Sequence, residues 1–468
     1  MAEHSCPTRN RREFIGDAFC GFGALALASL DAQAAAKNPL AAKPPHAAAK
    51  AKSVIFLFAA GGPSHIETFD PKPLLNQLHG QSRPKEFGEA KYQFVSPNAK
   101  LLGTKRTFKK YGKSGLEVSD LFPHTATVID DLAVLRGCHG DMVVHSAAQY
   151  QLMTGRILPG FPNMGAWVIY GLGTENQSLP AYCVLPDPKG ALEAGQPMYT
   201  QGFLPAVYQP TMLRSGAKPV LNLDFPNGVT SSQRKDTLDF LRGMNEAGMK
   251  PGDAELEARI AAYDLAFRMQ AEAPEAFDLS KETEATKEMY GVGKSPTDDY
   301  GRRCLLARRL VERGVRFTCV VSGGGPGNMQ WDAHGDIEEN HLRMASQTDQ
   351  PVAALMKDLK QRGLLDSTLV LWGGEFGRSP ESQGTVGRDH HNLGFTMWMA
   401  GGGIKGGQAI GATDAIGLRA IERPMHFRDI HTTILHQLGL NQDALSYMHL
   451  GRRERLTEVH GEVIKEIV

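Results

Sequence analysis

The chain has 468 residues, of which 41% are hydrophobic and 22% are charged. This balance is ordinary for a globular protein that buries a sizeable core. Lys plus Arg and Asp plus Glu both number 51, so the overall charge favours neither nucleic acid nor a membrane surface. We therefore expect no nucleic-acid partner.

The first 34 residues have the pattern of a twin-arginine signal peptide. Arg11 and Arg12 precede a weakly apolar run over residues 18–30, and Ala-Gln-Ala at 32–34 supplies a small-x-small cleavage site. No stretch reaches 18 consecutive apolar residues, so no integral membrane segment is expected after cleavage. The pattern predicts the twin-arginine export machinery as a partner and a periplasmic or secreted location.

The rest of the chain is predicted to be a linker and one domain. Residues 35–52 are rich in Ala, Lys and Pro, which is typical of a linker. Residues 53–468 show no break that would divide them into independent domains. Within them, the Gly/Pro-rich stretch at 77–115 has weak periodicity and is interpreted as an inserted loop region or lid.

Continuous apolar runs indicate strands that are buried on both faces, as in parallel sheets. Amphipathic stretches between several of them predict helices over 254–273, 300–313 and 350–362. This alternation predicts an α/β domain with a mostly parallel central sheet flanked by helices on both faces. The predicted strands are 53–58, 133–135, 181–185, 315–321, 367–372 and 395–399.

Four dispersed cysteines remain after the predicted signal: Cys138, Cys183, Cys304 and Cys319. They have neither the spacing of a zinc site nor the density of a disulfide scaffold. The sequence therefore favours buried free thiols.

Several predicted strands end in glycines that are followed by His, Asp or Glu. Ligands of such sheets bind beyond the carboxyl ends of the strands. Imidazoles and carboxylates bind divalent cations, so we predict a site for one or more such ions, with Zn, Ca, Mg and Mn as candidates. The predicted ligands are His65, Asp332, His334, Glu375, His390 and His391.

Two glycine-rich segments do not predict a nucleotide cofactor. Gly401-x-Gly403-x-x-Gly406 matches a dinucleotide fingerprint by letters, but residues 408–411 do not open a helix. The glycines at 323–327 lack the Lys-Ser/Thr of a phosphate loop.

A set of motifs resembles a known family over nearly the whole mature chain. The family is DUF1501, secreted bacterial proteins of unknown function that are abundant in planctomycete-like bacteria. It resembles the alkaline phosphatase and sulfatase superfamily, which implies hydrolysis of phosphate or sulfate esters with a Ser, Thr or formylglycine nucleophile and one or two metal ions. The motifs are the arginine-pair leader, Gly61-Gly62-Pro63-Ser64-His65, Trp372-Gly373-Gly374-Glu375-Phe376-Gly377-Arg378, Gly387-Arg388-Asp389-His390-His391 and Leu456-Thr457-Glu458-Val459-His460-Gly461.

The nucleophile position is matched only in part. Sulfatases place it nine residues before the Thr of a Thr-Gly-Arg triplet, and counting back from Thr154 gives His145, with Ser146 next. The sequence has no Cys-x-Pro-x-Arg, so a formylglycine is not available. Three interpretations stay open: Ser146 as a metal-activated nucleophile, His145 as a ligand with water as the nucleophile, and Ser146 as a helix N-cap.

The metal positions of the superfamily are also shifted. Asp332 and His334 resemble its Asp-x-x-x-His pair at a shorter spacing, and Glu375 stands where an Asp-His pair is expected. His390 or His391 resembles its last metal ligand. The resemblance thus implies that the ligand types persist while several positions have moved.

The leading hypothesis is an exported metal-dependent hydrolase of sulfate or phosphate esters. Its substrate would be an anionic ester, with sulfated polysaccharide fragments as the candidate. Ser146, His145 and Arg378 are the candidate catalytic residues, and Arg378 would either bind an anionic oxygen or pair with Glu375. The alternative is a non-catalytic exported protein of the same fold that binds sulfated or phosphorylated glycans. A purely structural protein would leave the His and carboxylate groups dispersed.

Overall fold

The computed structural model describes residues 38–89, 92–216, 219–220, 228–249 and 253–468. The predicted signal peptide and residues 35–37 of the predicted linker lie outside these ranges. No helix among the described residues is both long and apolar enough to cross a membrane.

The described part of the predicted linker, residues 38–52, runs along the surface of the domain and is fixed to it. The Ala47 N–H donates to the Gly439 carbonyl at 3.0 Å, and the Ala51 N–H donates to the Gln437 carbonyl at 2.8 Å. Leu40 is buried in the core. This segment is therefore packed against the folded domain.

The strands within the described residues combine one large sheet with several hairpins. They are β1 (Ser53–Ala59), β2 (Phe108–Tyr111), β3 (Leu116–Ser119), β4 (Leu132–His139), β5 (Tyr182–Leu185), β6 (Thr211–Met212), β7 (Phe317–Ser322), β8 (Thr368–Gly373), β9 (Gly377–Gln383), β10 (Gly387–His391), β11 (Phe395–Ala400), β12 (Gln408–Ile410), β13 (Ala412–Thr413), β14 (Ala420–Glu422), β15 (Met425–His426), β16 (Tyr447–His449) and β17 (Arg452–Glu454).

The helices of the described residues lie between these strands. They are α1 (His65–Thr68), α2 (Pro73–Gln77), α3 (His145–Thr154), α4 (Met164–Leu172), α5 (Ser231–Gly248), α6 (Ala254–Phe277), α7 (Glu284–Met289), α8 (Asp298–Glu312), α9 (Ile337–Gln361) and α10 (Phe427–Gln437).

The central sheet has nine strands in the order β12-β4-β11-β8-β1-β7-β5-β6, with β15 also paired to β4. All of its pairs are parallel except those of β11, which is antiparallel to both β4 and β8. The six predicted strands all lie in this sheet. The predicted mostly parallel α/β architecture is therefore confirmed.

Both faces of the sheet are buried, which explains the continuous apolar runs. In β1, Val54, Phe56 and Phe58 enter one core cluster and the intervening Ile55 and Leu57 enter the other. The first cluster includes side chains of α4 and α10, and the second includes side chains of α8 and α9. Successive side chains of a strand point to opposite faces, so helices cover both sides.

The helix predicted over 350–362 begins earlier than expected. It is the end of α9, which starts at Ile337, because the Asp336 carboxylate accepts the N–H groups of Glu338 and Glu339 and caps the first turn. The other two predicted helices correspond to α6 and α8. The four cysteines are free and buried, as predicted.

The predicted insertion at 77–115 lies, in its described part, against the β9–β10 hairpin. The Leu102 N–H donates to the Pro380 carbonyl and the Ser382 N–H donates to the Lys100 carbonyl, both at 2.9 Å. The β2–β3 hairpin closes the stretch. The carboxyl ends of β1, β7 and β8 therefore lie beside a surface that includes part of this insertion.

Gly61, two residues after the end of β1, is where the backbones of two strand-end loops meet. Its φ is +104°, and a Cβ there would lie 2.6 Å from the Asp332 nitrogen and 2.7 Å from the Trp331 nitrogen. Both neighbours are backbone atoms, so no side-chain rotation relieves the clash. Only glycine fits this approach.

We expect Gly61→Ala to lower the free energy of unfolding by about 2–4 kcal/mol, since it combines a disfavoured φ with overpacking. Gly80→Ala is the matched control, because Gly80 has a φ of +78° and open space around the Cβ position. That variant should lose only about 1 kcal/mol. Urea denaturation of the two variants measures the difference, and equal losses would contradict the steric argument.

Candidate metal centre

Four side chains converge beyond the carboxyl ends of the central strands. His145 begins α3 in the loop region after β4, Asp332 and His334 follow β7, and His390 lies in β10. One ligand atom from each lies within 4.8 Å of the others. We call these four residues the His/Asp cluster.

One carboxylate oxygen, Asp332 Oδ1, is the centre of the His/Asp cluster. It lies 2.9 Å from His334 Nε2, 3.3 Å from His390 Nε2 and 3.5 Å from His145 Nε2. The two Nε2 atoms of His334 and His390 are themselves 2.9 Å apart. All three imidazoles thus present the same ring nitrogen to one point.

The opposite ring nitrogen of each imidazole is tied to an oxygen. Carbonyl and carboxylate oxygens only accept hydrogen bonds, so each Nδ1 is the donor, and in the neutral imidazole the Nε2 lone pair remains for the cluster. Metal-binding histidines are oriented in this way. The acceptors are the Glu375 carboxylate at 2.8 Å for His145, the Val143 carbonyl at 2.7 Å for His390 and the Gln383 side-chain oxygen for His334.

The charges within the cluster are strongly coupled. Burial raises the pKa of Asp332, but the Arg378 charge and the contacts with the three histidines lower it much further, so Asp332 is ionised. Burial, helped by the Arg378 charge, lowers the pKa of His390 to about 4 although Asp332 opposes this. His390 is therefore the neutral imidazole that can act as a ligand at neutral pH.

His145 is shifted in the opposite direction. Burial lowers its pKa, but the nearby carboxylates of Asp332 and Glu375 outweigh burial and raise it to about 9. Without a metal ion, the His145 imidazole is therefore protonated, and it lies between the carboxylates of Asp332 and Glu375. A metal ion at Nε2 takes the place of that proton.

Glu375, a predicted ligand, lies behind His145 and not among the cluster atoms. Both of its oxygens accept the Gly61 N–H at 3.1 Å, and Oε1 also accepts from Gln149 Nε2 at 3.1 Å. The side chain is fully buried. Burial raises its pKa, but the hydrogen bond from His145 lowers it more. Glu375 is thus placed to hold the His145 ring.

Arg378 is fully buried and its guanidinium is used internally. Nε donates to the Gly62 carbonyl at 2.9 Å, and Nη2 donates to the Gly61 carbonyl and to Asp332 Oδ1, the latter at 2.7 Å. The sequence predicts that Arg378 either binds an anionic oxygen or pairs with Glu375. The structure shows a carboxylate pair, but the partner is Asp332 and not Glu375.

His65 and His391 are not brought to the cluster. Their Nε2 atoms donate to the carbonyls of Gly417 (2.9 Å for His65) and Leu418. Burial lowers the pKa of both, for His391 to about 4. Both histidines therefore contact the loop that contains Gly417 and Leu418. Neither of them contributes an atom to the His/Asp cluster.

Ser146 follows His145 within the first turn of α3 and is half-buried. The N-cap position of this helix is Val144. Ser146 therefore lies inside the helix beside a cluster residue, and not at the cap.

We expect Glu375→Gln to weaken binding of a divalent metal by about 10- to 100-fold, because the amide no longer fixes the His145 tautomer as a carboxylate does. Glu193→Gln is the matched control, since Glu193 Oε2 also accepts from Gln149 Nε2, at 3.0 Å. Among the described residues, Glu193 makes no hydrogen bond to a histidine of the His/Asp cluster. Metal titration followed by calorimetry measures both. Equal affinities in the two variants would contradict the orienting role of Glu375.

Several solved structures show weak similarity to this chain. The sulfatase PsFucS1 from Pseudoalteromonas sp. is 12% identical, with 88% of this chain and 70% of that chain covered and a TM-score of 0.34. The phosphonate monoester hydrolase SpPMH from Silicibacter pomeroyi is 10% identical, with 74% and 71% covered and a TM-score of 0.34. At these scores the likenesses assign neither an activity nor a substrate.

A third similar structure is the lipoteichoic acid synthase LtaP from Listeria monocytogenes, 9% identical, with 87% of this chain and 77% of that chain covered and a TM-score of 0.31. No curated protein matches the chain. A family model described as "Protein of unknown function (DUF1501)" matches residues 51–468. Since this match covers nearly everything after the predicted signal and linker, the chain belongs to the DUF1501 family, as its motifs predicted.

Proposed function

We propose that this protein is an exported metal-dependent hydrolase of sulfate or phosphate monoesters. The observation that carries the proposal is the convergence of three imidazole Nε2 atoms and Asp332 Oδ1 within 4.8 Å. The sequence resemblance to the alkaline phosphatase and sulfatase superfamily supplies the reaction class, ester hydrolysis. The twin-arginine pattern supports export.

The donor set fits a transition-metal ion or zinc. Three imidazoles and one carboxylate are typical ligands of Zn or Mn, whereas Ca and Mg prefer oxygen ligands throughout. With Nδ1 donating to an oxygen, the Nε2 atoms of His334 and His390 carry the lone pairs for binding, and His145 Nε2 becomes available when the cation replaces its proton. His145 Nε2 is buried without a hydrogen-bond partner among the described residues, which is the state expected of an atom that faces a cation.

A divalent cation held by His145, Asp332, His334 and His390 would supply Lewis-acid polarisation of an ester oxygen. Arg378 keeps Asp332 ionised and in place through its 2.7 Å contact. The first turn of α3, which begins at His145, directs backbone N–H groups and positive dipole toward an anionic group bound beside it. Ser146 is the proposed nucleophile.

Purified protein is expected to bind Zn²⁺ or Mn²⁺ and to hydrolyse 4-nitrophenyl sulfate or phosphate. His334→Gln should weaken metal binding by at least about 10-fold, because it removes one ligand nitrogen. His436→Gln is the control, since His436 is exposed and is not one of the four residues of the His/Asp cluster. Mass-spectrometric metal content, metal titration and ester assays measure these effects.

Each result of this experiment has a defined meaning. Loss of hydrolysis on chelation and its recovery with metal support the proposal. Metal binding without turnover of either ester would favour the alternative, a binding protein for sulfated or phosphorylated glycans. A protein that binds no divalent metal would contradict both the proposed metal centre and the proposed hydrolase activity.

Ser146→Ala is expected to lower kcat/KM by about 10³-fold or more, as removal of a nucleophile does in other hydrolases. Metal affinity should stay unchanged, since Ser146 is outside the His/Asp cluster. Steady-state kinetics and metal titration of the same preparation separate the two effects. A variant that keeps most of its kcat/KM would show that solvent, and not Ser146, attacks the ester.

A further inference from the structure

Residues 92–102 form a strap across the β9–β10 hairpin. The strap pairs through its backbone with β9, for example through the Leu101–Glu381 bridge. Arg388 Nη2 donates to the Leu102 carbonyl at 2.8 Å, and the Tyr92 ring lies 5.6 Å from the His391 ring. The strap is therefore fixed to the strand that carries His390.

Phe94 in the strap is exposed beside the His/Asp cluster. Its ring centroid is 5.6 Å from that of His334 and 6.3 Å from that of His390, with interplanar angles of 85° and 79°. The side chain nevertheless remains 54% exposed. An edge-to-face contact with both imidazoles orients the ring while most of it stays open to solvent.

Asp389 fixes the backbone that carries Phe94. This fully buried carboxylate accepts the Phe94 N–H at 2.6 Å and the Val95 N–H at 3.1 Å through Oδ2. Its other oxygen accepts the N–H of His390 at 2.8 Å. One carboxylate thus sets the position of the aromatic side chain and of a cluster histidine together.

The packing of Phe94 within the protein does not explain why an apolar side chain on a fixed backbone is left exposed. Burial of apolar surface is favourable, and about half of this side chain is still open to solvent. The Phe94 ring centroid lies 5.6 Å from that of His334, so the part of a ligand that extends from an anionic group at the His/Asp cluster toward the strap meets this ring. The exposed ring is available for that part.

We propose that Phe94 is a specificity-determining residue that packs against a ring of the substrate's alcohol. This inference rests on the proposed function and narrows it: the preferred monoesters are those of ring-shaped alcohols, aryl or sugar, and short-chain alkyl esters are poor substrates. Asp389 is a positioning residue for Phe94.

Binding of stable phosphonates to the metal-loaded protein tests this without relying on turnover. Calorimetry should show that phenylphosphonate or cyclohexylphosphonate binds about 3- to 10-fold more tightly than methylphosphonate, the range of an aromatic contact. Phe94→Ala should remove this preference and leave methylphosphonate and metal affinity unchanged. Phe240→Ala, at an exposed phenylalanine of α5 (66% exposed), should keep it.

The outcomes separate the inference from the proposed function. A gain for both rings supports a ring contact that includes saturated sugars, and a gain for phenyl alone supports an aryl alcohol. Equal binding of all three phosphonates, or a preference that survives Phe94→Ala, would overturn the inference while the hydrolase stands. Failure of every phosphonate to bind the metal-loaded protein would count against the proposed function itself.

Discussion

The ion pair between the partly buried Asp332 and the fully buried Arg378 is the interaction on which the site depends. An isolated carboxylate in this place would cost several kcal/mol of desolvation, and the guanidinium 2.7 Å away compensates for it. The same guanidinium donates to the carbonyls of Gly61 and Gly62. The Arg378 guanidinium therefore connects the loops after β1 and β7 to β9. The three imidazoles surround the Asp332 carboxylate that it contacts.

The geometry of the imidazoles indicates that a positive charge belongs between them. His334 and His390 donate through Nδ1 to oxygens, so their Nε2 lone pairs face each other at 2.9 Å. Two such lone pairs repel unless a proton or a metal ion lies between them. The third imidazole, His145, and Asp332 Oδ1 complete four donors around the same point. A ligand set for a cation is the arrangement that satisfies all of these atoms together.

The fold followed from the sequence because a sheet buried on both faces requires continuous apolar runs, and β1, β7 and β8 have them. The convergence of Asp332, His334 and His390 followed because carboxyl ends of parallel strands meet at one edge. The sequence could not separate His390 from His391. Adjacent residues of a strand point to opposite faces, and only the pairing of β10 with β9 shows that His390 faces the cluster while His391 faces Leu418.

The strap shows a second limit of local patterns. Weak periodicity predicts only an inserted loop, because the partner that positions Phe94 is Asp389, 295 residues away along the chain. Hydrogen bonds of this kind depend on the completed sheet and leave no trace in the spacing of nearby residues. The same carboxylate also accepts the His390 N–H, so the strap and a residue of the His/Asp cluster share one hydrogen-bonding partner. The insertion is therefore connected to the site through hydrogen bonds, although it contributes none of the four donor atoms.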